Sequence, residues 1–307
     1  MMRKMKKVLV TGATGFIGKY LYRKLKELKY DVTGISFEGG KIDGDKIIAL
    51  DITNKETVER FFIGKKFKII FHLAAFIPKK TENRDFKKNF NVNCLGTYNL
   101  LVASEKNKID KFVYSSSASI YNRQTVPMPA KEEFANPENI YGISKLAAEN
   151  LCELFRRNYN LKTVSLRYSS VYGMGQEPYC VLPIFIEKVF KNEAIKVFGS
   201  GKRTQDFIYV KDVVDANIKA AFSRAEGVFN VGSGREISTL KLARTIIKVF
   251  SKSKSKIKKE IVTAEDKTRL FLDAEKAKKG LKFSAKYSLE KGLSDYKKLI
   301  YENRDNS

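Results

Sequence analysis

The feature that most constrains the fold is a glycine-rich turn between a short apolar segment and an amphipathic one, near the start of the chain. Residues 6–11 are typical of a buried strand, and residues 20–28 carry apolar side chains at helical spacing. Between them, Gly12, Gly15 and Gly18 follow a Gly-x-x-Gly-x-x-Gly pattern. Glycines in such a turn let the backbone approach a pyrophosphate, which the start of the following helix stabilises. The sequence therefore predicts the first unit of a dinucleotide-binding fold.

Strand-like and helix-like segments continue to alternate after this unit. Further strands are predicted at 31–36, 46–50, 68–71, 111–115 and 161–166, and helices at 55–62, 86–106 and 139–157. Beyond about Tyr172 the pattern is less regular, with helices at 181–191, 210–221, 239–250, 275–279 and 289–302 and strands at 195–198 and 228–231. This alternation predicts an α/β fold with a parallel, doubly wound sheet and a smaller C-terminal part. We expect a dinucleotide-binding domain at 1–172, joined by about 206–235, and a substrate-binding part at 173–205 and 236–307.

Composition limits the class of protein. With 307 residues and 43% apolar content, the chain can bury a sizeable core. It has no apolar stretch near the ~18 residues of a membrane span, and no signal-peptide core follows the basic residues 1–7. Three widely spaced cysteines, Cys94, Cys152 and Cys180, indicate neither a disulfide framework nor a metal cluster. We therefore expect a cytoplasmic protein without a metal and without a membrane partner.

The chain is strongly basic, with a formal net charge of +25 and a pI near 9.7. Such a balance is compatible with nucleic acid or with anionic surfaces. Most of the lysines lie singly on polar helix faces, however, and only residues 251–259 form a dense basic run. A solvated, lysine-rich surface is the simpler interpretation, and a basic pocket for phosphate-bearing ligands is compatible with it. Nucleic acid is therefore not the partner that we expect.

A tyrosine and a lysine near the start of the predicted helix 139–157 are the strongest candidates for chemistry. Tyr141 and Lys145 are four residues apart, which places them on one helix face. We expect the positive charge of Lys145 to lower the pKa of Tyr141 and make it a proton acceptor. The serines 115–117 end a predicted strand, and ligands bind at the carboxyl ends of parallel strands. A tyrosine–lysine pair alone is common on exposed helices, so its context must support the assignment.

The residues at the end of the second predicted strand do not decide between NAD and NADP. An acidic residue is expected there to hold the adenosine ribose of NAD. The chain has Ser36 and Phe37 in this place, with Glu38 just beyond, and Lys41 is a candidate for the 2′-phosphate of NADP. His72, the single histidine, follows a predicted strand, where a structural role is the more common one.

Nine segments, in order along residues 6–293, resemble one family. They are TGATGFIG (11–18), ALDI (49–52), FHLAA (71–75), NCLGT (93–97), FVYSSSASIY (112–121), YGISK (141–145), LRYSSVYG (166–173), FGSGKRTQDFIYVKD (198–212) and FNVGSG (229–234). With them the chain is similar to the extended short-chain dehydrogenase/reductase family, which comprises nucleotide-sugar epimerases and dehydratases with a Rossmann-type sheet. So many segments in family order are very hard to obtain by chance.

The resemblance implies roles for particular residues. Cofactor contacts fall on Gly12, Thr14, Gly15, Phe16, Ile17 and Gly18 at the pyrophosphate, Asp51 and Ile52 beside the adenine, and Leu73, Ala74 and Ala75 along the cofactor. Ser117, Tyr141 and Lys145 match the catalytic triad. In it, Tyr141 is the base, Lys145 binds the nicotinamide ribose, and Ser117 hydrogen-bonds the reacting sugar hydroxyl. Asn93 lies near a helix asparagine of related enzymes, and the family pattern does not fix its role here.

Differences from the family pattern narrow the subclass. The 4,6-dehydratases carry an adjacent Asp-Glu pair where this chain has Ala118 and Ser119, so the segment resembles that of 4-epimerases more closely. Two positions that contact the diphosphate in sugar-nucleotide enzymes also differ. Ser170 replaces an asparagine and Gln205 an arginine. Arg203 and Arg269 are candidates to supply the missing positive charge, since arginine binds phosphate through a planar fork.

Three functions remain open from the sequence. The first is an NAD-dependent 4-epimerase that acts on a nucleotide sugar, a UDP-hexose above all, through a 4-keto intermediate. The second is an NADP-dependent reductase of a 4-keto nucleotide sugar or a related carbonyl. The third is a non-catalytic dinucleotide-binding protein with a basic interaction face, against which the complete triad argues. From the resemblance we also expect a homodimer.

Overall fold

In the computed structural model, residues 6–78, 86–123, 125, 127–250, 254–264, 266 and 268–305 are described, and within them the chain forms fourteen β-strands and ten α-helices. The strands are β1 (Lys7–Thr11), β2 (Asp31–Ser36), β3 (Gly40–Ile42), β4 (Asp45–Ala49), β5 (Ile69–His72), β6 (Lys111–Ser117), β7 (Thr163–Tyr168), β8 (Ser170–Tyr172), β9 (Ile195–Phe198), β10 (Thr204–Gln205), β11 (Phe207–Tyr209), β12 (Gly227–Val231), β13 (Ile237–Ser238) and β14 (Ile257–Glu260). The helices are α1 (Phe16–Glu27), α2 (Lys55–Phe62), α3 (Phe86–Phe90), α4 (Gly96–Lys106), α5 (Ile140–Asn158), α6 (Val181–Phe190), α7 (Val210–Phe222), α8 (Thr239–Val249), α9 (Glu275–Gly280) and α10 (Leu289–Asp305).

The main sheet has eight strands in the order β12-β7-β6-β5-β1-β2-β4-β3. Every neighbouring pair is parallel except β3 and β4, which form an antiparallel hairpin. The prediction of a parallel, doubly wound sheet is therefore confirmed. The strand order reverses between β1 and β5, and in open α/β sheets ligands bind in the crevice at such a point.

Helices cover both faces of the sheet because its central strands are apolar on both sides. Along β1, Val8 and Val10 face the core under α1 and α7, whereas Leu9 faces the core under α2, α4 and α5. Successive side chains of a strand point to opposite faces, so one apolar run serves two cores. This burial fixes the carboxyl ends of β1, β5 and β6 along one edge.

A third core lies in the C-terminal part, where α6, α8 and α10 pack around β9. Three short pairs, β8 with β11, β9 with β14 and β10 with β13, tie this part together. Residues 1–5, at the basic start of the chain, and 251–253, at the start of the basic run, lie outside the described residues. None of the helices in the described part of the chain is long and apolar enough to cross a membrane.

The predicted segments agree with the observed ones to within a few residues, but a π-helical turn and six short strands were not predicted. The helix predicted at 86–106 contains the π-helical turn, Asn91–Leu95, between α3 and α4. The unpredicted strands are β3, β8, β10, β11, β13 and β14, since runs of two to four residues give too short an apolar pattern. Helix α2 has the predicted bounds, because Asn54 caps it by accepting the backbone N–H of Thr57 at 2.9 Å.

Candidate active site

The glycine turn lies at the reversal of strand order, directly after β1. Gly12 has a φ of +65°, and a Cβ atom there would stand 2.7 Å from the backbone N of Ala74. A Cβ atom at Gly18 would overlap the carbonyl oxygen of Gly12, so α1 can pack on the turn only without it. At Gly15, a Cβ atom would meet only the Gly12 oxygen, at 3.1 Å. The two outer glycines therefore close the turn, and Gly15 leaves space for a ligand.

Helix α1 begins at Phe16, beside this space. Its first turn carries no acidic residue, and no side chain caps its N-terminus. Unpaired N–H groups and the positive end of a helix dipole attract anions. The turn can thus hold a phosphate group with backbone atoms alone.

A cavity of about 1240 Å³ is lined by this turn and by residues of the C-terminal part. Its volume exceeds the roughly 300–1,000 Å³ of a pocket for one drug-sized ligand, so it can hold a dinucleotide and a second ligand. The predicted site residues in its lining are Gly12, Gly15, Phe16, Ile17, Gly18, Leu73, Ala75, Ser117, Tyr141, Ser170 and Arg203. The predicted residues outside its lining are Thr14, Asp51, Ile52, Ala74, Lys145 and Arg269.

Asp51 and Ile52, the two residues predicted beside the adenine, both make contacts within the protein. The Asp51 carboxylate accepts hydrogen bonds from the backbone N–H of Thr53 at 2.9 Å and from its hydroxyl at 2.8 Å. Ile52 is buried in the core between the sheet and α2, α4 and α5. Their placement beside the adenine stays a prediction.

Ser117 and Tyr141 meet on the cavity wall because a loop and a helix approach closely. The side chain of Asn139 caps α5 by accepting the backbone N–H of Gly142 at 2.9 Å. A Cβ atom at Gly142 would overlap the carbonyl oxygen of Ser119, so only glycine lets α5 reach the loop after β6. As a result, the Ser117 hydroxyl hydrogen-bonds the phenol of Tyr141.

The expected lowering of the Tyr141 pKa by Lys145 is wrong for this state of the protein. Burial raises the pKa of Tyr141 to about 12, and the hydrogen bond with Ser117 opposes this rise. Lys145 makes no resolved contribution, although it is one helical turn away. Removal from water outweighs a charge that is not in direct contact with the phenol.

Lys145 is itself strongly perturbed, because it lies beneath the cavity wall and is only 1% exposed. Burial lowers its pKa to about 8, while the carboxylate of Glu149 opposes the shift. Its Nζ stands 4.4 Å from the centre of the Tyr114 ring, which favours the cation. At neutral pH the group is still mainly protonated, but its charge is lost just above that range.

A buried ion pair holds α5 against the sheet one turn after Lys145. The carboxylate of Glu149 accepts hydrogen bonds from Arg167 at 2.7 and 3.0 Å, and both side chains are under 5% exposed. Arg167 also donates to the hydroxyl of Tyr121 at 2.9 Å and to the carbonyl oxygen of Glu132 at 2.7 Å. Because every charge is paired, this cluster fixes the position of α5 without an isolated buried charge.

His72 is buried and joins two segments instead of lining the cavity. The backbone N–H of Ala74 donates to the Thr11 hydroxyl, which lies 2.7 Å from Nδ1 of His72. Nε2 lies 2.9 Å from the hydroxyl of Thr97, which in turn donates to the carbonyl oxygen of Asn93. Since Thr97 has one proton and gives it to Asn93, Nε2 carries the imidazole proton and Nδ1 accepts. The ring is thus neutral and structural, in agreement with the sequence-based interpretation.

Asn93 lies in the π-helical turn and supports the site from behind. Its side chain accepts the backbone N–H of Phe76 at 2.8 Å and donates to the carbonyl oxygen of the same residue at 3.0 Å. It also donates to the hydroxyl of Ser144 at 2.9 Å, and that hydroxyl donates to the carbonyl oxygen of Tyr141. The wider turn therefore places one amide between the cavity-lining loop after β5 and the start of α5.

Of the four predicted substrate contacts, Ser117, Ser170 and Arg203 line the cavity and Arg269 does not. The backbone N–H of Ser170 donates to the carbonyl oxygen of Asp206 at 2.9 Å, which fixes the start of β8 on the wall. Arg203 lines the same cavity. Arg269 does not, because both nitrogens of its fork bind the carboxylate of Glu236 at 2.6 Å in a separate shallow pocket.

The sequence did not single out Arg123, which lines the cavity on the loop after β6. Among the described residues, the buried hydroxyls of Ser116 and Ser169 on the wall have no hydrogen-bond partner, although each residue is under 9% exposed. Both serines lie in segments that resemble the family, at the ends of the adjacent strands β6 and β7, so the sequence could have indicated them. Arg123 carried no signal that distinguished it from the many surface basic residues.

Together, a doubly wound sheet, a backbone phosphate site at its strand reversal and a serine–tyrosine pair beside it define a Rossmann-type dinucleotide-binding protein. The family model described as the NAD dependent epimerase/dehydratase family matches residues 8–232. The chain belongs to this family of sugar-nucleotide enzymes.

Individual relatives cover most of the chain. A UDP-glucose 4-epimerase of Mycolicibacterium smegmatis is 32% identical over 78% of this chain and 81% of its own length. The crystal structure of a UDP-glucose 4-epimerase of Thermotoga maritima with UDP-glucose is 32% identical, with a TM-score of 0.87 over 97% of this chain and 99% of that one. The structure of a Thermus thermophilus UDP-glucose 4-epimerase with NAD is 30% identical, with a TM-score of 0.83 over 94% and 97% of the two chains.

Proposed function

We propose that this protein is an NAD-dependent 4-epimerase of a nucleotide sugar, with a UDP-hexose as the preferred substrate. The observation that carries the proposal is the contact between Ser117 and Tyr141 on a wall shared with the glycine turn. A proton-transferring phenol next to a dinucleotide site can oxidise and re-reduce a secondary alcohol. The T. maritima and T. thermophilus neighbours, solved with UDP-glucose and with NAD, support the same assignment.

The residues present fit a dinucleotide. The space beside Gly15 and the start of α1 offer room and backbone donors at the strand reversal. On β6, the Ser116 hydroxyl has no partner among the described residues and offers a further donor on the cavity wall. NAD bound there would supply the hydride acceptor and, in its reduced form, the hydride donor. At the end of β2, Ser36 donates to the carbonyl oxygen of Gly39 at 3.1 Å, and Glu38 is exposed. We propose NAD as the cofactor on the strength of the family and its neighbours.

The protein's own groups handle the proton and the orientation of the sugar. Tyr141 takes the proton of the C4 hydroxyl and later gives it back, while Ser117 donates to the same oxygen and holds it. Because burial holds the pKa of Tyr141 near 12, proton acceptance requires added positive charge in the site. Lys145, with its pKa lowered to about 8, is the nearest such residue along α5 and carries the charge at neutral pH. We propose that it binds a ribose hydroxyl and supports the phenolate.

The two predicted parts of the chain have different proposed ligands. We propose that 1–172 with 206–235 binds the dinucleotide, and that 173–205 with 236–307 closes over the nucleotide sugar. The long cavity between the two sets of residues is compatible with this division. A dehydratase is disfavoured because Ala118 and Ser119, in the loop after β6, offer no carboxylate to eliminate water.

We also propose that the protein is a homodimer. Leu95 at the end of the π-helical turn, Tyr98 in the first turn of α4 and Leu154 on α5 are 41–44% exposed, and α4 and α5 pack side by side. A second copy of the same helix pair would cover these apolar groups. Size-exclusion chromatography with light scattering tests this, and a monomer at micromolar concentration contradicts it.

Two measurements test the proposed activity. Mass spectrometry of the denatured, purified protein should identify bound NAD. The protein should then interconvert UDP-glucose and UDP-galactose without net formation or consumption of free NADH or NADPH, since an epimerase returns its hydride. Stoichiometric consumption of NADPH with a 4-keto sugar nucleotide, and no interconversion, would establish the reductase instead.

A further inference from the structure

Arg123 places its guanidinium on the cavity wall. It lies six residues after Ser117, on the loop that follows β6, and is partly buried. Within the part of the chain that the structure describes, no hydrogen bond or ion pair involves its side chain. A partly buried cation without a partner is unfavourable unless a ligand supplies one.

A second arginine faces the same space. Nε of Arg203 is 3.2 Å from the carboxylate of Asp266 but forms no hydrogen bond within the described part of the chain. The two arginines are close enough that Arg203 lowers the pKa of Arg123, second to burial, while Glu138 and Asp266 oppose this. Among the described residues that line the cavity, Asp266 and Glu177 are the acidic side chains, whereas Arg123, Arg203, Lys188 and Lys196 are basic, so the lining as a whole carries more positive than negative charge.

The position of this pair indicates which part of a ligand it meets. Arg123 shares its loop with Ser117, and Glu138, which interacts with it, precedes Tyr141 by three residues. Arg123 therefore comes from the loop that carries Ser117, and Arg203 comes from the C-terminal part of the cavity lining.

We infer that Arg123 and Arg203 form an anion site that holds the anionic oxygens of the substrate next to its sugar. The inference rests on the proposed function and deepens it by assigning a recognition residue, Arg123, on the loop after β6. Planar guanidinium forks suit groups with two or three oxygens, so the anion is either the phosphate attached to the sugar or a carboxylate on the sugar ring.

Calorimetric titration of the full-length protein separates these sources. The ligands are UDP, UDP-glucose and UDP-glucuronate, and the proteins are wild type, Arg123→Met, Arg123→Lys and the exposed control Arg244→Met. Removing one charge-assisted pair should weaken binding about 10- to 100-fold, and Arg123→Lys should recover part of it. Arg244 is exposed on α8 and absent from the cavity lining, so its removal should change affinity less than about 2-fold.

The pattern of loss identifies the anion. Equal weakening of all three ligands by Arg123→Met assigns the site to the phosphate, and weakening of UDP-glucuronate alone assigns it to a sugar carboxylate. Either result supports the inference. Wild-type affinity of Arg123→Met for all three ligands overturns it and leaves the proposed function standing. A wild-type protein that binds none of the three overturns the proposed function itself.

Discussion

Acid should destabilise this protein through its single histidine, and His72→Gln should remove that part of the sensitivity. Burial lowers the pKa of His72 from 6.5 to about 3, and the charge of Lys145 adds to the shift. The folded protein therefore keeps the ring neutral. The unfolded chain takes up a proton as the pH falls below 6.5, so this contribution is intact above pH 6.5 and is lost from there toward pH 3.

The size of the loss follows from the pKa difference. Each pH unit between the two values is worth about 1.4 kcal/mol, and integration from pH 7.5 to 5.0 gives a loss of about 2 kcal/mol. A protonated ring would also turn Nδ1 into a donor, so the Thr11 hydroxyl would lose the ring nitrogen to which it donates its own proton. The neutral form is thus enforced by hydrogen bonds as well as by burial.

Urea unfolding at pH 7.5 and 5.0, followed by tyrosine fluorescence and circular dichroism, measures the effect. Glutamine keeps one donor and one acceptor but does not titrate, and its imperfect fit should lower the free energy of unfolding at pH 7.5 by about 1–3 kcal/mol. Carboxylates titrate alike in both proteins, so the difference between their acid losses isolates His72. The variant should lose about 2 kcal/mol less than wild type on acidification. Equal losses in the two proteins would refute the reasoning.

Three further perturbations probe the site. Tyr141→Phe should lower kcat by about 10²- to 10⁴-fold while NAD binding measured by titration stays within about 2-fold, and full activity would remove Tyr141 from the mechanism. In wild type, NAD affinity and catalytic rate should fall as the pH rises through about 8, where Lys145 loses its charge. Lys145→Met should bind NAD more weakly at every pH, and its affinity and rate should not fall near pH 8. A fall near pH 8 that persists in the variant would contradict the assignment of this pH dependence to Lys145. Gly15→Val should fold but fail to bind NAD, and tight NAD binding by this variant would contradict a phosphate site at Gly15. Gly18→Ala should instead disturb the fold itself, because its methyl group would overlap the carbonyl oxygen of Gly12.

The local parts of this structure could be predicted from the sequence, because short-range rules determine them. The glycine turn required three glycines between an apolar run and a helix, and α2 needed the capping side chain of Asn54. The π-helical turn could not be predicted in this way. Its position depends on Asn93, whose amide bridges Phe76 and Ser144, residues that are far from it in sequence.

The electrostatics of the site were harder to predict than its composition. Helical spacing correctly placed Tyr141 and Lys145 one turn apart, but it carries no information on depth. Both groups are removed from water, so burial moves the pKa of the tyrosine up and that of the lysine down. The sequence spacing predicted that the charge of Lys145 sets the pKa of Tyr141. In the folded protein, burial of both side chains has the larger effect on the two pKa values, and burial depth cannot be read from the spacing. The proposed role of Tyr141 as a base therefore requires that ligand binding lower its pKa.

Gln205 stands where the family pattern has an arginine, and we propose that Arg203, on the same extended segment, provides the missing positive charge. Asp206, the next residue, is fully buried and accepts the backbone N–H groups of Ser233 and Leu272, so its carboxylate cannot move toward a ligand. Arg203 and Gln205 are two residues apart and both line the cavity, which is the spacing of side chains on one face of a strand. A positive charge lost at 205 is therefore regained at 203 without any change of fold. The segment alone does not provide a second guanidinium, and we propose that Arg123, on the loop that follows Ser117, supplies it.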